Sequence, residues 1–149
     1  MGQDLPGGAD RATAVAAIAA LGSAIELADL NPPPDDVEVT LAGNIYQRHV
    51  VLAGDAPARA GVGADGVTCR ILRRGTESAR TTDPQGNTGE WIGIVQHVAN
   101  VLAAFGERLR AGEIIITGSV VAPLALEADE EEIGFEVDPI GGVSVRFVR

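Results

Sequence analysis

Apolar residues recur along this chain with two different spacings, and each spacing predicts a different element. Helical spacing is clearest after Trp91: Trp91, Ile94, Val95, Val98 and Leu102 fall on one face, and Gly106 supplies a stop. A second helix is predicted over Arg11 to Leu21, with Asp10 as its cap, Val15, Ile18 and Ala19 at helical spacing, and Gly22 as the stop. Elsewhere the pattern alternates. In Ser23 to Leu30, Ile25 and Leu27 point one way while Ala24, Glu26 and Ala28 point the other, as in a strand. Gly66 to Leu72 alternates again, Arg74-Gly75 is a turn signal, and Thr76 to Thr81 can pair back as a hairpin.

Four further strands are predicted: a buried one at Glu113 to Thr117, then Leu124 to Leu126, Ile133 to Val137 and Val143 to Phe147. Ala42 to Gly54 reads as a loop leading into a short strand at His49 to Leu52. Pro32 to Pro34 end the strand before them, and Asp35-Asp36 open a short segment, VEVTL. Residues 55–66 lack any period and read as a loop, and Asp83 to Gly89 reads as a turn-rich linker. Two helices among about seven short strands predict an α+β fold with a mostly antiparallel or mixed sheet. At 149 residues the whole chain, 1–149, is expected to form one domain.

Composition narrows the chemistry. Hydrophobic residues make up 46% of the chain, enough for a core, but aromatics are only 3%, so Ala, Val, Ile and Leu must build it. A net charge of −10 argues against a nucleic-acid partner, which needs a clustered basic surface. No run approaches the roughly 18 apolar residues of a membrane span. The start, MGQDLPGGADR, lacks a basic region followed by an apolar run, so a cytoplasmic location is expected. Cys69 is the single cysteine and cannot form an internal disulfide. The 11 basic residues are all arginine, so no lysine of this chain can form a Schiff base or act as an acid or base. There is no nucleophile elbow, Walker loop or dinucleotide fingerprint.

Several motifs taken in order carry a resemblance. The helix WIGIVQHVANVLAAFG is followed by ERLRAGEIIITGSVV and a closing GGVSVRF. Upstream stand AIELADL at Ala24 to Leu30 and AGN at Ala42 to Asn44, followed by VVLAG. This order resembles the C-terminal part of the 2-keto-4-pentenoate hydratases, in the fumarylacetoacetate hydrolase superfamily. The resemblance covers essentially the whole chain. Members of that family are nearly twice as long, and their first half holds a lysine and a Glu-x-Glu pair. The expected fold is therefore a partial fumarylacetoacetate hydrolase C-terminal-type fold.

The resemblance implies a lyase that adds water to a small 2-hydroxydienoate or 2-oxo acid with a divalent metal, Mg²⁺ or Mn²⁺. It implies a homo-oligomer, or a complementary chain that supplies the absent ligands. A C–C hydrolase or 2-oxo acid decarboxylase of the same superfamily is the alternative within enzymes. A non-catalytic partner or remnant of the fold is the alternative outside them. By resemblance Glu26 is a metal ligand; from the residues alone it is a strand glutamate facing solvent. Asp29 is expected at the strand end. Asn44, Arg48, Thr117 and Ser119 are candidates for substrate binding, although Gly43 stands where the family has aspartate. Read without the resemblance, Asn44 is a turn residue, Arg48 and His49 are surface residues, and Thr117 to Ser119 form a strand-to-turn transition. His97 lies off its helix's apolar stripe and is expected to be exposed. The run Asp129 to Glu132 reads as a solvated charged turn, since like charges held inward need a cation.

Overall fold

The computed structural model describes residues 1–30, 35–53, 59–60, 63 and 65–148. The predicted stop at Pro32 to Pro34, and much of the loop at 55–66, lie outside the described residues. The chain folds as α1 (Arg11–Ala17), β1 (Ala20–Leu21), β2 (Ala24–Ala28), α2 (Val37–Ala42), β3 (Gln47–Leu52), β4 (Arg59–Ala60), β5 (Thr68–Arg73), β6 (Thr76–Thr81), α3 (Trp91–Ala104), β7 (Glu132–Asp138) and β8 (Gly141–Arg146). Every strand pair is antiparallel, and the class is α+β as the pattern predicts. No helix among the described residues is long and apolar enough to cross a membrane.

The largest sheet has four strands in the order β6-β5-β7-β8. The β5–β6 hairpin turns at Arg74 and Gly75, both with positive φ, where the sequence places it. β7 covers the other edge of β5, pairing Cys69 with Val137 and Ile71 with Phe135. Val67, Cys69, Val137 and Ile140 form a small buried cluster against this sheet. Separately, β2 pairs with β3.

α3 is capped by Glu90, whose carboxylate accepts from the N–H groups of Ile92 and Gly93. It ends in a Schellman turn: Glu107 N–H donates to Leu102 O at 2.9 Å, and Gly106 takes φ +77°, which suits a residue without Cβ. Its buried face is Trp91, Ile92, Val95 and Ala99, with Val98 and Leu102 partly covered. That stripe is turned toward Ile92 relative to the predicted one, because α1 packs there. α1 is shorter than predicted, stopping at Ala17, and Leu21 belongs to β1. It buries Ala14 and Ala17 rather than Val15, since alanines let the two helices approach closely. Leu5 and Leu109 close this second core, and Leu5 N–H donates to Leu109 O at 2.8 Å.

Three expectations fail. VEVTL is not an extended piece but helix α2, because Asp36 Oδ1 caps it by accepting from Val39 N–H at 2.9 Å. Glu113 to Thr117 is not a buried strand. It runs without a strand partner, and Ile114 is 63% and Ile116 37% exposed. Leu124 to Leu126 likewise pairs with nothing and is exposed. An alternating pattern specifies a face, but a ladder also needs a neighbouring strand, and among the described residues none lies beside these segments.

The acidic run also differs from its expectation. Glu130 is 2% exposed, not solvated. The cation that holds it inward is Arg73, 3.4 Å from Glu130 Oε2. The same oxygen accepts from Glu127 N–H at 3.2 Å. Arg73 also donates to Glu127 Oε1 at 3.0 Å and to Ala125 O at 2.9 Å, and Arg74 reaches Glu127 and Asp129. The hairpin turn thereby anchors residues 125–130.

Candidate functional site

A cavity of about 330 Å³ opens between the loop before β2, the start of α3, the extended segment at residues 113–120 and the inner face of the four-stranded sheet. Its wall is mostly apolar, with Leu21, Leu52, Val95, Phe135, Val137 and Ile140 contributing. Cys69 also lines it, and burial pushes that thiol's pKa up, so it is an unreactive wall. The polar wall atoms are few. Ser23 is 3% exposed and Trp91 8%, and neither Ser23 Oγ nor Trp91 Nε1 has a hydrogen-bond partner. Ser23 is fixed by its backbone, whose carbonyl accepts from Ala53 N–H at 3.0 Å. Trp91 is fixed as the first residue of α3, its N–H donating to Gln85 Oε1 at 2.9 Å.

The Thr-Gly-Ser motif meets this cavity at one end. Thr117 and Gly118 line it. Gly118 has φ +94°, and a Cβ there would lie 2.7 Å from Thr88 Cγ2, so both conformation and space require glycine. Ser119 is turned away: its Oγ donates to Val121 O at 2.6 Å, and its carbonyl accepts from Asn87 Nδ2 at 2.7 Å.

Glu26 is exposed on β2, opposite Val50. It shares a strand face with Ala24, which lines the cavity, so Glu26 stands one side-chain repeat from the cavity mouth. Arg48 and Asn44 lie beyond the other end of that strand pair. The register shifts at Leu27/Ala28, leaving Arg48 as an extra residue between His49 and Gln47. Such a bulge re-aims its side chain. The Arg48 guanidinium meets Asp29 at 3.5 Å and Gly43 O at 3.3 Å. Asn44 sits at φ +54° in the turn after α2 and donates to Gln47 Oε1. Of the five candidates, then, Thr117 lines the cavity and Glu26 borders it. Asn44, Arg48 and Ser119 are engaged with their own neighbours. His97 is exposed, as expected.

Ser23 and Trp91 carry no motif, and the sequence reading passes over them as site residues. The one signal is that Trp91 is the only tryptophan in a chain with few aromatics.

Among the described residues no group of three His, Cys, Asp or Glu side chains is placed to hold a metal ion. A hard cation needs several oxygen ligands, and Glu26 offers one carboxylate. The residues of this chain do not by themselves make a metal cage.

The fold and cavity define an α+β architecture shared with solved enzymes. No family model matches the sequence. Two structures of 4-oxalocrotonate decarboxylase from Pseudomonas putida G7 share the fold at 23% sequence identity. One, complexed with calcium and acetate, superposes with a TM-score of 0.79; the other, complexed with magnesium and adipate, with 0.80. Each match covers 99% of this chain but 56% of the enzyme, so the chain spans little more than half the length of the proteins it resembles.

Proposed function

We propose that this chain is the cavity-bearing part of a lyase for a small 2-oxo acid, working with a divalent metal, Mg²⁺ or Mn²⁺, whose remaining ligands come from another polypeptide. The observation that supports this reading is the water-excluding apolar cavity beside Glu26, in a fold shared over this length with an enzyme complexed with magnesium and adipate. Because the chain alone lacks a cage, no catalytic step is assigned to a metal here. What its own residues supply is a dry wall for the carbon skeleton and a hydroxyl, Thr117, at the rim. The complementary polypeptide is expected to bring further carboxylates and an acid–base group, since Glu26 stands alone and the chain has no lysine.

Two reaction types fit. Water addition to a 2-hydroxydienoate is the reading drawn from the motif order. Loss of CO₂ from an unsaturated 2-oxo diacid is favoured by the decarboxylases that share the fold. Product analysis separates them: a hydroxylated acid of unchanged carbon number marks the hydratase, and released CO₂ marks the decarboxylase.

The test of the common part is a Mn²⁺ titration, followed by relaxation of solvent water. Weak binding that disappears in Glu26→Gln is expected. Tight binding by the chain alone, or an affinity unchanged in Glu26→Gln, overturns the assignment of Glu26 and the shared site.

A further inference from the structure

We infer that the cavity is a specificity pocket for the uncharged, oxygen-bearing end of a small acid, with Ser23 Oγ and Trp91 Nε1 as its hydrogen-bonding groups. The inference rests on the lyase reading for the kind of ligand, and on the structure for which end enters.

Both side chains are more than nine-tenths buried, both line the cavity, and both polar atoms lack partners. Buried polar groups in folded proteins are nearly always paired, so two orphans on one cavity wall point to something that fills it. An indole N–H can only donate, and a serine hydroxyl can donate or accept. The group that satisfies both is an oxygen acceptor: a carbonyl, or an enol or alcohol hydroxyl. A carboxylate is the wrong group. The wall contains no arginine, lysine or histidine, and its one acidic side chain is Glu113. An anion seated there would be buried without a counter-charge. The carboxylate of the ligand therefore stays outside, and the apolar wall takes the chain between the two ends. At about 330 Å³ the cavity sits near the lower end of ligand pockets, which run from roughly 300 to 1,000 Å³. That size suits a short acid rather than a cofactor.

Trp91 is the chain's only tryptophan, so its emission reports occupancy directly. Three probes share a five-carbon skeleton: 2-pentanone, 4-oxopentanoate and pentanoate. A saturable change in Trp91 emission is expected with 2-pentanone and with 4-oxopentanoate. Pentanoate, which lacks the distal oxygen, is expected to bind about tenfold more weakly, the scale of one hydrogen bond to a buried donor. Ser23→Ala should reduce the preference for the oxygenated probes about fivefold or more, and Ser23→Thr, which keeps the hydroxyl, should retain it.

Equal affinity for all three probes, or a preference untouched by Ser23→Ala, overturns the inference. So does the absence of any saturable response in protein whose circular dichroism shows it folded, which marks a cavity holding water only. The assay needs neither metal nor turnover. Binding with the expected preference but no lyase activity in the completed assembly would overturn the lyase reading and leave the pocket standing.

Discussion

β5 and the segment Glu113 to Thr117 have the same alternating apolar pattern and opposite fates. β5 lies between β6 and β7, and Ile71 and Cys69 are buried. The segment at 113–117 has no strand on either side, and Ile114 and Ile116 face outward. Among the described residues, no backbone hydrogen bond reaches residues 114–118. Alternation thus identifies chain that can pair, and pairing depends on what else is present. An unpaired extended segment with exposed isoleucines is a template for a further strand. It sits on the rim of the cavity, where the proposed complementary polypeptide must also approach.

The largest expected contrast is in hydrogen exchange. Amides of β5 and β7 should open only with global unfolding, while those of residues 114–118 should exchange at least about 1,000-fold faster. Comparable protection in both regions would show that the isolated chain has already found a partner for the segment.

Next in size is the link between the two regions. Arg73→Ala removes the counter-charge of the buried Glu130 and frees residues 125–130 from the hairpin, at an expected cost of about 3 kcal/mol. Denaturant unfolding measures it, and a loss below about 1 kcal/mol would mean that water reaches Glu130 freely.

A cavity mutation in the closed core should cost nearly as much. Leu5→Ala is expected to lose about 3 kcal/mol, whereas Ile114→Ser should stay within about 0.5 kcal/mol and reduce self-association. If Ile114→Ser is as damaging as Leu5→Ala, the segment is packed in solution.

The smallest effect concerns the cap of α3. The Arg11 guanidinium beside Glu90, helped by the Gly93 and Ile92 N–H groups, lowers its carboxyl pKa from 4.5 to about 2. A depressed carboxylate stabilises the fold above its unfolded pKa, and that contribution fades as pH falls from about 4.5 toward 2. Glu90→Ala should therefore cost about 1 kcal/mol near neutrality, less at pH 2. A cost independent of pH would show that the ion pair contributes nothing beyond the cap.

Local chemistry made much of the fold legible. α3 has a repeating stripe and a glycine stop, and β5, β6, β7 and β8 have alternation bounded by turn residues. These signals lie within a few residues of one another, so one sequence carries them whole. α2 escaped because Val37, Val39 and Leu41 alternate like a strand, while the feature that made the helix was a single cap at Asp36. The site was harder to read. Glu26 and Thr117 were recognisable by motif, but Ser23 and Trp91 became site residues only where four distant segments enclosed them. Glu130 looked solvated because its partner, Arg73, is 57 positions away.

The sequence by itself determined which stretches coil, which extend, and where they turn, because capping, glycine stops and side-chain period act locally. Only the tertiary structure decided which extended stretches find a partner, which charge is buried, and which two polar atoms face an apolar cavity. Those outcomes depend on contacts between residues far apart in the chain, and no local pattern encodes them.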